Sequence, residues 1–261
     1  MKIKEIIKII ENGAKVDELN CDGIKSGSIE NEIEKIGVSM FATVDVLRRA
    51  IADGVNFLIV HEPTYYEHME IFFDSPVSNA KRELIKESGI TIYRWHDHAH
   101  YRENDYVTES ECELFGLCGK VTKTEFCASY LMDSDEYVTG LEIAKRIEDK
   151  AGVKHVRIIG SRDKKCKKIA LCFGTPGGVF ELLRRLDVDM VITGEICEWA
   201  WGEYARDADS LGITKSLIVA GHIGSERAAM ARLANELIRY YPSVKYYECG
   251  EVYTYTDDTT E

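Results

Sequence analysis

Residues 35–63, KIGVSMFATVDVLRRAIADGVNFLIVHEP, decide the architecture of this chain. They hold an apolar run, a Thr, a stretch carrying Leu47-Arg48-Arg49 at helical spacing, and a second apolar run entered through Val55-Asn56. Neither run alternates with polar residues, so both read as strands buried on two faces, as in a parallel sheet covered by helices. The unit is βαβ, with a right-handed crossover. Residues 168–196, KIALCFGTPGGVFELLRRLDVDMVITGEI, repeat the pattern with Leu183-Arg184-Arg185 and Val188-Asp189 in the same places. Each copy continues through a helical stretch to Gly-Ile-Thr (Gly89-Ile90-Thr91 and Gly212-Ile213-Thr214) and then a further strand. The fold class is therefore α/β, an internal duplication of two similar halves expected at 1–125 and 126–261.

Outside the repeats, Ile3, Ile6, Ile7, Ile9 and Ile10 predict an amphipathic N-terminal helix. Residues 121–165 read as a strand-rich connector, followed by a helix at Gly140–Lys150 and a strand at His155–Ile159. The closing TDDTTE is polar and expected to fray. At 261 residues, 45% apolar and 30% charged, the chain is an ordinary globular one, large enough for one big domain or two modest ones. A net charge of −12 argues against a nucleic-acid or anionic-membrane binder. Its one cationic cluster, Lys164, Lys165, Lys167 and Lys168, reads as a solvated turn. No run approaches the ~20 apolar residues of a membrane span, and the first residues do not form a signal peptide, because Glu5 and Lys8 interrupt them. The eight cysteines are scattered without a CxxC pair and read as reduced thiols, which places the protein in a cytoplasm.

Three segments at expected strand ends gather histidine with carboxylate: His61-Glu62-Pro63-Thr64, His96-Asp97-His98-Ala99-His100 and Gly221-His222-Ile223-Gly224-Ser225-Glu226. That mixture suits Zn, Mn or Fe, and open α/β sheets place ligands at the carboxyl edge of their strands. Two halves packed face to face would share one metal cleft. His61 and Glu62 leave a strand where Pro63 enforces a turn, so they can diverge toward two ions. A helix capped by Ser225 would bring His222 from the preceding loop and Glu226 from its first turn to one ion.

These segments, with Cys21-Asp22-Gly23-Ile24, VNFLIVHEPTYY (55–66), GITIYRWHDHAH (89–100), GTPGGVFELL (174–183), DVDMVITGEI (187–196) and GHIGSERAAM (221–230), resemble in order and spacing the NIF3-like (DUF34) dinuclear metal-centre family, also named GTP cyclohydrolase 1 type 2 homologues. The resemblance implies two α/β halves packed face to face, two divalent ions per chain and a ring-shaped homohexamer. Carried over by motif, the ligands are His61, Glu62 (where the family has a second His), His222 and Glu226. The middle ligand is His100 in the preferred ungapped alignment, where the family has Asp, or Asp97 in a gapped one. The chain matches the minimal two-half form of the family.

The implied activity is metal-dependent hydrolysis of a small nucleotide-like or phosphorylated metabolite, with ions bridged by Glu226 and proton transfer by His96; His98 is read rather as orienting a ligand. The alternative is a non-catalytic metal-binding scaffold or metal-handling protein. Gly174-Thr175-Pro176-Gly177-Gly178 reads as a tight turn rather than a phosphate cradle, since no Lys-Ser/Thr follows. Glu195 either borders the cleft or ends a strand in solvent. Tyr65, Tyr66 and Trp95 can stack on a base or fill the core, and Trp199 and Trp201 are expected at a subunit interface.

Overall fold

A computed structural model describes residues 1–256; residues 257–261, most of the tail expected to fray, lie outside the described residues. The N-terminal isoleucine pattern folds as α1 (Ile3–Glu11), with Ile3, Ile6, Ile7 and Ile10 buried. There follow β1 (Gly23–Ser26), β2 (Ile36–Ser39), α2 (Val44–Ala52), β3 (Phe57–Val60), α3 (Pro76–Ser88), β4 (Thr91–Arg94) and the single turn α4 (Asp97–His100). Local chemistry sets the ends of α3. Ser75 accepts the Ser78 N–H at the start, Pro76 sits where its missing N–H costs nothing, and Gly89 takes the left-handed conformation that stops the helix.

The chain continues through α5 (Tyr106–Phe115), β5 (Gly119–Lys123), β6 (Tyr130–Val138), α6 (Gly140–Ala151), β7 (Arg157–Gly160), β8 (Cys166–Cys172), α7 (Val179–Leu183), β9 (Met190–Thr193), a π-helical turn at Glu198–Gly202, α8 (Glu203–Ser210) and β10 (Ser216–Val219). After a 3-10 turn at Ile223–Ser225 come α9 (Arg227–Leu237) and β11 (Val244–Tyr246). Contacts group these elements into two units, Met1–Tyr106 with Ala229–Gly250, and Val107–Ala228 with the chain from Glu251.

Each unit is built on one sheet. The first has strand order β1-β4-β3-β2-β11 and the second β5-β6-β8-β9-β10-β7. Strands β2, β3 and β4 run parallel, as do β8, β9 and β10, and every residue of β2, β3, β4, β9 and β10 is buried, as non-alternating runs require. In the second sheet Ile169, Leu171, Met190 and Ile192 join one apolar cluster, while Ala170, Cys172 and Val191 join another, so both faces of the sheet are covered. Each Ile, Leu, Met or Val among them contributes ~1.5–3 kcal/mol of burial.

The duplication is longer than the βαβαβ read from the sequence. Antiparallel β1 edges β4 just as antiparallel β7 edges β10, and each is preceded by a helix, α1 or α6. The shared Val-Asn and Val-Asp have one function. Asn56 Oδ1 accepts the N–H groups of Glu34 and Lys35 at 2.9 and 3.3 Å, and Asp189 Oδ2 those of Lys167 and Lys168 at 2.8 and 2.9 Å. Each thereby ties the start of one strand to the start of the next. The Gly-Ile-Thr tripeptides are offset: Thr91 opens β4, whereas Thr214 lies ahead of β10, which opens at Ser216.

Candidate metal centre

In the first unit, the N–H groups of His61 and Glu62 both donate to Met40 O, at 3.1 and 3.0 Å, which fixes the backbone as it leaves β3. His61 is fully buried, and its Nδ1 lies 3.0 Å from Trp95 O. Its ring stacks on that of His96 at 4.5 Å and stands 5.2 Å from that of His100. Burial, and then the neighbouring imidazoles, hold the His61 pKa well below the usual histidine range, so the ring is neutral, the form that ligates metal.

The other two rings flank α4, His96 just before its first residue and His100 at its last, and this short helix is held from outside itself. Asp22 Oδ1 accepts the N–H groups of His96 and Asp97 at 2.7 and 2.8 Å, Oδ2 accepts that of His98 at 2.8 Å, and His98 Nδ1 lies 2.6 Å from Oδ2. One carboxylate thus satisfies three N–H groups that a helix start leaves unpartnered. His100 Nδ1 lies 2.9 Å from the buried Asp105 carboxylate, and His96 Nδ1 lies 2.8 Å from Asp97. Burial alone would push the Asp97 pKa up, but the contacts with His96 and Cys21 bring it well below the usual carboxylate range. Burial pushes the Cys21 thiol up, and Cys21 donates to Asp97 at 3.3 Å.

With Nδ1 of His61 and His100 held by oxygen, Nε2 is the nitrogen that these two rings would offer to a metal, the arrangement that metal-binding histidines use. The ligand atoms of the three rings lie within 4.8 Å of one another. The donor set therefore fits a divalent cation such as Zn, Mn or Fe. His96, read as a proton carrier, stands inside the donor cluster. The ring of His68 packs 5.3 Å from that of His96. Glu62 is buried with its Oε2 3.6 Å from a guanidinium nitrogen of the fully buried Arg94, whose Nε donates to His61 O at 2.9 Å.

In the second unit the N–H groups of Gly194 and Glu195 both donate to Gly174 O, at 3.0 and 3.2 Å, repeating the way His61 and Glu62 meet Met40. His222 Nδ1 lies 2.8 Å from Glu195 Oε1 and 3.1 Å from Thr175 Oγ1, and its Nε2 lies 3.1 Å from Glu226 Oε2. Glu195 thus borders this cluster while remaining largely exposed. Gly174 has φ +67°, and a Cβ there would stand 2.3 Å from Glu226 Oε1, so the tight turn makes room for that carboxylate.

Ser225 does not cap α9. Its Oγ donates to His222 O and accepts the Gly174 N–H, both at 3.0 Å, and this locks the His222–Ser225 turn to the Gly174 turn. Glu226 instead sits between the 3-10 turn and α9. The α9 start is held by Glu111 of α5, which accepts the Ala228 N–H at 2.7 Å. Glu111 is wholly buried; burial, with the Glu226 charge adding to it, pushes its pKa well above the usual range.

Sequence reasoning missed Asp22, Asp105, Arg94 and Glu111 as supports. Their partners lie up to 117 positions away, as with Glu111 and Ala228, and no local spacing marks such pairs. Among the aromatics, Trp95 is core, donating from Nε1 to Ile10 O at 3.0 Å; Trp201 packs on the second unit's core, and Trp199 is exposed.

Comparison with known proteins places this arrangement. The chain is 24% identical over 247 residues to the GTP cyclohydrolase 1 type 2 homolog of Clostridium acetobutylicum, covering 91% of this chain and 90% of the relative. Its fold is similar to a solved structure described as protein ybgI, of unknown function, with a TM-score of 0.78 at 23% identity over 96% of this chain and 99% of that one. It is also similar to a Bacillus cereus protein related to NIF3, with a TM-score of 0.73 at 14% identity over 100% and 99% of the two chains. Residues 1–252 match the family described as Duf34/NIF3 (NGG1p interacting factor 3), and the chain belongs to that family.

Proposed function

We infer that the protein binds two divalent ions per chain and uses them to hydrolyse a small nucleotide-like or phosphorylated metabolite. The observation that carries this reading is the imidazole cluster of buried His61 and His100 with half-buried His96, whose ligand atoms fall within 4.8 Å. The donors are His61, Glu62 and His100 in the first unit and His222 and Glu226 in the second. The name shared by the curated relatives, GTP cyclohydrolase 1 type 2 homolog, supports a nucleotide-like substrate. A bound divalent ion supplies Lewis acidity, polarising a substrate oxygen and making water a better nucleophile near neutral pH.

The chain's own residues divide the remaining work. His96 accepts a proton at Nε2 while Asp97 holds its Nδ1–H and stabilises the charged ring. Asp105 keeps His100 in the tautomer that presents Nε2, and Asp22 fixes the turn that carries both rings. Glu195 does the same for His222 from the second sheet.

Self-association accompanies this reading. Tyr66, Met69, Ile71 and Phe73, between β3 and α3, and Val77 at the start of α3 expose apolar surface that a second copy would cover, and light scattering on the purified protein tests it.

The catalytic test is a panel of phosphoesters and nucleotides offered to Mn- or Zn-loaded protein, with metal content measured alongside. Turnover that disappears in His222→Ala and falls ~10²–10⁴-fold in His96→Gln, with metal retained in the latter, supports the hydrolase. Two ions bound and no turnover across the panel turns the assignment to a metal-handling or scaffold role.

A further inference from the structure

The first unit carries a concave site that the metal reading does not use. A cavity of about 520 Å³, within the range of small-molecule pockets, is lined by Lys25 of β1, Tyr65 and Phe72 of the β3–α3 connection, and Arg82 and Lys86 of α3. We propose that this cavity binds a small metabolite that carries both a phosphate group and a planar ring, of about mononucleotide size.

Three observations support it. The first is charge: Lys25, Arg82 and Lys86 line one cavity in a chain of net charge −12. Lys25 is partly buried; its ammonium donates to the carbonyls Cys21 O at 2.8 Å and Asp22 O at 3.4 Å, and the Glu70 and Asp22 carboxylates act on it only through space. Burial lowers its pKa, the strain that an arriving anion relieves. Glu70, whose charge acts on Lys25, has its own carboxylate engaged by the Thr64 and Tyr65 N–H groups.

The second is orientation. The Arg82 guanidinium lies over the Phe72 ring at 4.2 Å and donates to Asn79 Oδ1 at 3.0 Å, so its planar fork is held in place before a ligand arrives. The third is shape. The cavity is much larger than a phosphate ion, and Tyr65 and Phe72, edge to face at 5.3 Å, form an aromatic corner beside the cations. Cations beside an aromatic wall suit a phosphorylated ring compound better than a bare anion.

The test is calorimetric titration of the purified protein at low ionic strength with AMP, adenosine, ribose 5-phosphate and inorganic phosphate. AMP is expected to bind at least ten-fold more tightly than the other three. Arg82→Ala combined with Lys86→Ala, both exposed positions that leave the core untouched, is expected to weaken AMP at least ten-fold. His222→Ala is expected to leave AMP binding unchanged, which separates this cavity from the metal reading. AMP binding unaltered in the double variant overturns the proposal, as does its loss in His222→Ala or its absence at millimolar concentration. Phosphate binding as tightly as AMP overturns the ring-bearing ligand.

Discussion

The carboxyl edges of the two sheets start from one element plan and end with opposite chemistry. In the first unit the residues leaving β3 and β4 are mainly imidazoles, buried or half-buried, with Nδ1 of His61, His96 and His100 each oriented by an oxygen, of Trp95, Asp97 and Asp105 respectively. In the second the residues leaving β9 and β10 present one imidazole, His222, between two carboxylates, Glu195 and Glu226. The shared backbone explains why donors recur at all: each edge has two successive N–H groups closing on one carbonyl, Met40 O or Gly174 O. The differing side chains decide what each edge contributes. Imidazole donors favour Zn-, Mn- or Fe-type ions, while carboxylates offset cation charge. Duplication therefore supplied position, and divergence supplied ligand type.

The sharpest way to break this comparison is to remove one ring. His61→Ala is expected to weaken metal binding more than ~100-fold, beyond the 10–100-fold typical of losing an outer support, as read by chelator competition. Retention of all metal would remove the imidazole edge from the metal site. Next is Gly174→Ala, whose Cβ would meet Glu226 Oε1 at 2.3 Å on a backbone at φ +67°. It should cost about 1–2 kcal/mol of stability from the left-handed conformation alone and weaken metal binding through Glu226, with the His61, His96 and His100 resonances little changed. Asp22→Asn tests the support on the other edge. Losing charge-assisted bonds to three N–H groups should lower stability by ~1.5–3 kcal/mol in urea unfolding and broaden the NMR signals of His96, His98 and His100 before those of His222. Equal broadening on both edges would show that Asp22 is not specific to α4.

How far the sequence carried this reading follows from the range of each interaction. The βαβ repeat was legible because burial on two faces leaves unbroken apolar runs and because Asn56 and Asp189 do the same job at the same point of each unit. The α1–β1 and α6–β7 correspondence was not: the helix at 140–150 and the strand at 155–159 were expected, but Gly23–Ser26, a short, half-buried edge strand, has no pattern to match them. The pairing of β11 with β2 was also hidden, because parallel partners distant in sequence share no local signal. The clusters of His with carboxylate were visible as composition. Which nitrogen each ring presents was not, because Trp95 O, Asp105 and Glu195 reach those rings only through the fold. Ser225 misled for a related reason: a good capping residue by type, its hydroxyl is taken by Gly174 and His222.

A last effect, seen only as pH changes, concerns a buried cation that each unit uses differently. Lys81 of α3 donates to Thr64 O at 2.6 Å, just beyond the His61-Glu62 edge, whereas Lys215 donates to Arg185 O and Val188 O, ahead of β9. Burial pulls the Lys81 pKa down to about 8, with the Glu70 charge opposing it. A base whose folded pKa lies below its unfolded value of 10.5 penalises the fold while both states are charged, and the penalty fades as pH rises from about 8 to 10.5. With ~1.4 kcal/mol for each tenfold change in proton affinity, the stability of the parent relative to Lys81→Met should rise by about 1–3 kcal/mol across that window. Urea unfolding of both proteins at pH 7.5 and 10.5 measures it. A difference independent of pH would mean that Lys81 is solvated in the fold, and that the histidine-bearing edge is less tightly closed than its counterpart geometry requires.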